Sequence, residues 1–300
     1  MQNAVLGRKK IEFISTQDEI NKHQKEVEDY EMTKLMQSLS SAETNTPKKP
    51  LDRIIVVGCG GTGSWLIPKL AKTINDMKRK KLLANHFSLI LVDGDQIEPK
   101  NLIRQNFVES DIGKNKAEIM ALRYGATLKD INVQYIDKYL TDKSSFDTNH
   151  FSNINVLQNM IYDDNYCVIF NLVDNQNARR AVHSLQFCGW IVDIGNELAH
   201  GQLFATPYGL TSGFIGSLSF FTMSPETLTA DEEVKIYSCA EADADTELEE
   251  QFLVANDTAA LVGHNWLCSL MSGPDVVPAR INFTCLPIPT VETVLKTIRV

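Results

Sequence analysis

The sequence predicts an α/β chain built on a doubly wound, mostly parallel sheet, and three observations predict it. Short apolar, β-branched runs alternate with helix-patterned segments over residues 53–195, which is the rhythm of strand–helix–strand units. The run Ile54 to Val57 leads directly into a glycine-rich turn with Gly58, Gly60, Gly61 and Gly63, and a helical pattern starts at Ser64-Trp65-Leu66-Ile67. Two further runs end in an acid, Asp93 and Asp174; in such Rossmann-like sheets ligands bind beyond the carboxyl ends of the strands, so both acids are placed to face one crevice.

Residues 1–50 form an appendage: a polar stretch with partly helical spacing over Gln17–Leu39, then a Ser/Thr/Asn/Lys/Pro-rich linker from Ser38 to Pro50. Arg8-Lys9-Lys10 is a small basic cluster, either a solvated tail or a charge reaching a phosphate in a neighbouring subunit. The main domain is expected over 51–300. Its first helix is expected to run to Lys81, with Pro68 one turn inside and Lys78-Arg79-Lys80-Lys81 complementing the dipole at its end. A second strand is predicted over Phe87–Asp93, a helix beginning near Asp111–Lys116 and continuing to Leu128, and a third strand over 132–136. A helix follows around Phe151–Met160, then a strand Tyr166–Asp174 and a helix Asn177–Phe187. Strands are predicted at Trp190–Ile194 and Gly201–Thr206. Residues 207–255 are an irregular crossover carrying Cys239 and an acidic run over 241–250; Asn256 or Asp257 is read as the cap of a helix from Thr258 to Met271, stopped by Gly273-Pro274. Arg280–Cys285 is read as the last strand.

Composition narrows the function. With 29 basic against 38 acidic residues the net charge is −9, which opposes a nucleic-acid-coating surface or an anionic membrane as partner. No apolar run reaches the ~20 residues of a membrane span, and the first residues lack the apolar core of a signal peptide. The six cysteines stand singly with no C-x-x-C pair, so a reducing cytoplasm is expected and a zinc knuckle is not. The glycine turn between a buried strand and a helix points to a phosphate, because glycine admits close backbone approach and the helix offers unpaired N–H groups. Lys116 falls in the first turn of its helix, where a cation opposes the dipole. An anion in front of that helix gives the lysine a reason to be there. Taken singly, Asp93 and Asp174 fit helix caps, and Arg104 and Lys116 fit surface charges.

The glycine turn, Asp93, Asn101-x-x-Arg104-Gln105, Lys116 and Asp174-Asn175, in that order, resemble the ThiF/MoeB/ubiquitin-activating superfamily. Val192-Asp193-Ile194-Gly195-Asn196, Gly201-Gln202 and Ser238-Cys239-Ala240-Glu241-Ala242 extend the likeness. The long first crossover and Asn256-Asp257-Thr258-Ala259-Ala260 look similar to the ThiF-family member of PRTRC systems, whose neighbours include a ubiquitin-like protein and a JAB-type protease. The resemblance implies adenylation of the C-terminal carboxylate of a ubiquitin-like or sulfur-carrier protein with ATP and Mg2+, in a homodimer. It implies that Arg104 and Lys116 hold the phosphates, Asp174 coordinates magnesium and Asp93 takes the ribose. Asn101 and Gln105 would orient the triphosphate, Gly58 to Gly63 would receive the nucleotide and Asn175 would help close the pocket. Such chemistry needs no general base, because the attacking carboxylate is already ionised at pH 7; repulsion between anions is the obstacle, which cations and oriented N–H groups relieve.

Cys239 aligns with the cysteine that receives the activated acyl group in many relatives. Against that, the acidic residues following it raise a thiol's pKa and reduce its thiolate fraction, and some relatives transfer directly from the adenylate. Cys59, inside the turn, is read as packing. The paired zinc cysteines of MoeB-type members are absent from the sequence, and Arg8 is the candidate for an arginine finger. Three alternatives share the glycine turn: activation of a small-molecule or RNA carboxylate, a nucleotide-binding scaffold without turnover, and a nicotinamide dehydrogenase. The last leaves Arg104 and Lys116 without a purpose.

Overall fold

The computed structural model describes residues 49–140, 153–161, 165–196, 199–208, 253–272, 276–285 and 289–298. Arg8, the appendage up to residue 48, Cys239 and the acidic segment 241–250 lie outside the described residues.

β1 (Leu51–Val57) and β4 (Tyr166–Asn171) are largely apolar and almost wholly buried; that is what a strand covered on both sides requires. They lie side by side in an eight-stranded sheet ordered β3 (Asn132–Ile136), β2 (Leu83–Val92), β1, β4, β5 (Cys188–Asn196), β6 (His200–Tyr208), β7 (Val276–Thr284), β8 (Thr290–Ile298). Pairings from β3 to β5 are parallel and those from β5 to β8 antiparallel. Side chains alternate along each strand. Ile54, Val56, Leu89 and Phe170 therefore pack into one core with α1 (Gly61–Arg79), α2 (Lys116–Gly125) and α5 (Leu253–Ser272). Ile55, Val57, Ile90 and Ile169 enter a second core with α3 (Asn153–Met160) and α4 (Gln176–His183). The chain moves from β1 outward to β2 and β3, then returns to place β4 on the other side of β1. Strand order therefore reverses between β1 and β4, and the carboxyl ends of those strands are where sheets of this kind take their ligands.

Three expectations need correction. β4 stops at Asn171, so Asp174 lies three residues past its strand rather than at its end; Leu172 N–H makes a last bond to Val57 O before the chain turns away. α5 begins at Leu253, so Asn256 and Asp257 are inside the helix and neither is its cap. Their side chains serve other elements: Asn256 accepts from Asn196 Nδ2 at 3.0 Å and Asp257 pairs with Lys69 at 2.5 Å. The strand containing Arg280 is not the last, because β8 pairs along it. Residues 290–293 of β8 are exposed, so its sequence carries no buried face to announce it.

Pro68 sits inside α1 and has no N–H for the carbonyl of Ser64. Asn106 Nδ2 reaches that carbonyl at 3.3 Å, while Ser64 Oγ accepts from Asn106 N–H at 2.9 Å. The gap that proline leaves in the helix thus becomes an anchor for the loop carrying Arg104 and Gln105.

Candidate functional site: the glycine turn and its rim

Gly58 has φ of +95°, and its N–H donates to Val92 O at 2.8 Å. A Cβ there would stand 2.9 Å from Leu172 O, and one on Gly63 would stand 2.0 Å from Gly58 O. These two glycines let the turn fold back on itself. At Gly61 the obstacle would be Asn256 Oδ1 at 2.8 Å. Gly60 is different. Nothing crowds it, and the side chains nearest to where a Cβ would stand are Gln105 Nε2 at 3.6 Å and Lys116 Nζ at 3.8 Å. Gly60 is also the residue before α1, and no side chain caps that helix. Helical N–H groups, an ammonium and an amide therefore converge beside Gly60, which is the chemistry of an anion site. Gln105 Oε1 is buried there with no hydrogen-bond partner.

Lys116 is the first residue of α2, capped by Asn115, whose side chain accepts from Glu118 N–H at 3.0 Å. The anion that its position calls for is Asp95: Lys116 Nζ meets Asp95 Oδ2 at 2.7 Å, and Lys116 N–H donates to Asp95 O at 3.0 Å. Lys116 is buried. Burial alone would raise Asp95, but hydrogen bonds from Lys116 and the Tyr139 hydroxyl hold its carboxyl below the ordinary range. The Tyr139 ring lies on Gly94, where a Cβ would come within 2.6 Å of it. The bond to Asp95, then burial, then the charges of Asp95, Asp93 and Asp174 push the Tyr139 phenol up to about 12. Asp95 holds the phenol directly, and the charges of Asp93 and Asp174 reach it from further away. Neither Asp95 nor Tyr139 is among the site residues expected from the sequence. The Asp93-Gly94-Asp95 spacing is a visible signal for the first; nothing in sequence marks the second.

Asp93 follows β2 directly. Its Oδ2 accepts from Cys59 N–H at 2.6 Å and its Oδ1 from Asp95 N–H at 2.8 Å. Burial nevertheless pushes its pKa up to about 6, against the opposing pull of Lys116 and those two N–H groups. Cys59 is buried, and burial followed by the Asp93 charge raises its thiol well above the ordinary value. It stays protonated and packs.

The Arg104 loop is held by its backbone. Trp65 Nε1 donates to Arg104 O at 3.1 Å, Asn256 Nδ2 reaches the same oxygen at 3.5 Å, and Arg123 donates to Asn106 O at 3.1 Å. Thr62 Oγ1 donates to Asn196 Oδ1 at 3.1 Å, so α1, β5 and α5 meet around the glycine turn. Asn101 is buried and commits its side-chain oxygen to Glu98 N–H at 2.8 Å, a local task within the turn. Asn175 likewise caps α4 by accepting from Ala178 N–H at 2.7 Å.

Asp174 is exposed in the loop that follows β4. Its loop is fixed from below by Arg179, which donates to Val173 O at 2.8 Å and pairs with Asp193 at 3.3 Å. Asp193 is wholly buried and also meets Asn171 Nδ2 at 2.7 Å and His183 Nε2 at 2.8 Å. His183 Nδ1 lies 2.5 Å from the Tyr208 hydroxyl. Among the described residues no group of three His, Cys, Asp or Glu is placed to hold a metal ion. Where phosphates are present Mg2+ takes one or two carboxylates and completes its shell with ligand oxygens and waters; the exposed Asp174 carboxylate would be such a ligand.

The sequence profile of the ThiF family matches residues 49–264. None of the curated proteins matches the chain. Among solved structures, PaaA is 16% identical with a TM-score of 0.52, the match covering 95% of this chain and 86% of that one. E. coli MccB solved with MccA is 18% identical with a TM-score of 0.51, over 83% and 63% of the two chains. MccB solved with AMPCPP and MccA is 17% identical with a TM-score of 0.49, over 83% of this chain and 64% of that one. The chain therefore spans slightly less than two thirds of the MccB chain, and at these identities the likeness is one of fold. No helix among the described residues is long and apolar enough to cross a membrane.

Proposed function

The chain belongs to the ThiF family, and from that premise we propose that it adenylates the C-terminal carboxylate of a ubiquitin-like or sulfur-carrier protein, using ATP and Mg2+. The observation that carries this reading is the convergence at Gly60 of Lys116 Nζ, the Gln105 amide and the uncapped N–H end of α1. A carboxylate oxygen of the tail attacks the α-phosphorus of ATP, a C–O–P bond forms, and the bond to the β-phosphate breaks as pyrophosphate leaves. No proton moves. Two anions must approach, so the work of the site is to supply positive charge and fixed dipoles. Lys116 and Arg104 supply the cations, the glycine turn supplies N–H groups, and Gln105 orients the phosphates. The oxygens of Asp93 accept the ribose hydroxyls while the Cys59 and Asp95 N–H groups hold its carboxylate in place. Asp174 holds magnesium, which when bound neutralises phosphate charge. The name of one structural neighbour fits the reading, since E. coli MccB was solved with MccA.

Transfer to Cys239 belongs to the same proposal. The thiolate attacks the acyl carbon of the adenylate, a thioester forms and AMP leaves. A second subunit supplies the arginine finger, with Arg8 as the candidate. The test is ATP–pyrophosphate exchange with a β-grasp protein bearing a free C-terminal tail. Tail-dependent exchange that disappears in Asp174→Ala, with the thermal melt unchanged, supports the reading. Exchange that persists in that variant removes the metal role, and no exchange with any tail removes the activity.

A further inference from the structure

We propose that Arg280 and Asn282 of β7 recognise an acidic residue in the substrate's extended tail, five or six residues ahead of the reacting carboxylate. This rests on the adenylation reading and adds to it the chemistry of the tail. Along β7, Val277, Ile281 and Phe283 point into the core shared with α5. Arg280 and Asn282 therefore point to the other face. Arg280 lies 5.3 Å over the ring of Phe204, and its Nε is buried with no hydrogen-bond partner. No carboxylate among the described residues pairs with it. Glu292, placed opposite Asn282 by register, is exposed and makes no such bond. A chain with 38 acids and 29 bases does not lack partners for an arginine, and a partly desolvated guanidinium without an acid is unfavourable. Two residues along, Asn282 Oδ1 is a buried acceptor with no donor. A cation and an acceptor that are both unmatched among the described residues are complementary to a ligand carrying a carboxylate and an N–H. An acidic residue in an extended peptide carries both. The β7–β8 register shifts on both sides of Arg280, and irregularities of that kind re-aim a side chain.

Register gives the spacing. Val57 pairs with Asn171, Asn171 with Asp193, Asp193 with Phe204 and Phe204 with Arg280. Four strand steps of ~4.8 Å put Arg280 ~19 Å from the strand that enters the glycine turn. An extended chain covers that distance in about five or six residues at ~3.4 Å each.

The test uses free-acid octapeptides of alanine ending in Gly-Gly, with one glutamate moved through successive positions, and measures ATP-dependent pyrophosphate release as kcat/KM. The full-length protein should show a maximum of about tenfold over the all-alanine peptide when glutamate stands five or six residues from the end. Arg280→Gln should flatten that profile, and Arg280→Glu should transfer the preference to lysine at the same position. A purely structural arginine cannot produce that reversal. A flat glutamate scan in the unmutated protein, with release still occurring, overturns the proposal and leaves adenylation standing. No release with any peptide from a protein that does exchange pyrophosphate with a tailed β-grasp protein overturns this inference alone, and no exchange with either substrate removes the adenylation reading.

Discussion

Replacing Asp93 by asparagine tests how the crevice is held, because two effects of opposite sign meet at one carboxyl. Burial raises its pKa from 3.8 to about 6, and at ~1.4 kcal/mol per pH unit that displacement amounts to ~3 kcal/mol. The folded state binds the proton more tightly than the unfolded state. Asp93 therefore favours folding fully below about pH 4 and loses that contribution as pH rises through about 6. An asparagine in its place carries no charge and has no such pH term. It retains one acceptor oxygen, but its amide would face either the Cys59 or the Asp95 N–H, donor against donor. That mismatch costs ~1–3 kcal/mol at every pH. The variant should be clearly less stable than the parent near pH 4 and about equal to it at pH 7. Urea unfolding at both values reads the difference, with ~2 kcal/mol expected between the two ΔΔG values. A ΔΔG that does not change with pH would refute the claim that Asp93 is ionised against its environment. ATP affinity gives a second readout, since a carboxylate with a pKa of about 6 accepts ribose hydroxyls well at pH 7 and poorly at pH 5. The parent should bind ATP more weakly as pH falls across that interval, while Asp93→Asn binds weakly throughout.

Other outcomes follow from the same geometry. Gly60→Ala has room for its methyl group, with nothing nearer than 3.6 Å, so it should fold normally and lose ATP binding in calorimetry. Gly63→Ala would place a methyl 2.0 Å from Gly58 O and should fail to give folded protein. Lys116→Gln should lower the pyrophosphate exchange rate by ~10²-fold, the scale of losing one charged contact to a transferring group. Cys239→Ala should keep ATP–pyrophosphate exchange and lose any thiol-labile conjugate on a denaturing gel; a conjugate that survives the substitution removes the covalent role.

The central strands of the parallel half were legible because they are buried on both faces and written in nearly continuous apolar residues. The glycine turn was legible because Gly58 and Gly63 occupy places where a Cβ has no room. Legibility failed where an element is held by partners distant in sequence. Asn256 has the composition of a cap, yet its amide is committed to Asn196 and the Arg104 carbonyl, 60 and 152 residues away along the chain. β8 shows no buried alternation over its first residues. Tyr139 is an isolated aromatic until the fold lays it on Gly94.

The same distinction explains how a site made of repelling groups stays in place. Asp93 and Asp95 are adjacent, the charge of Asp174 reaches the same Tyr139, and each of the three depends on something the others do not supply. Asp93 has two backbone N–H groups, Asp95 has Lys116, and the Asp174 loop has Arg179 anchored on buried Asp193. The Arg104 loop is tied through Trp65, through Asn256 and through the carbonyl that Pro68 leaves open. Lys116, Asp93 and Asp95, and the backbone of the loops carrying Arg104 and Asp174, are therefore held in place by the protein itself. Organisation set in advance lets an electrostatic site act without rearranging as the anions meet. If so, Arg179→Gln should lower exchange activity even though Arg179 touches no ligand, by releasing the Val173 carbonyl and the loop beyond it. Its signature is a higher magnesium requirement in the exchange assay with the ATP KM little changed. A loss confined to the ATP KM would place Arg179 elsewhere in the mechanism.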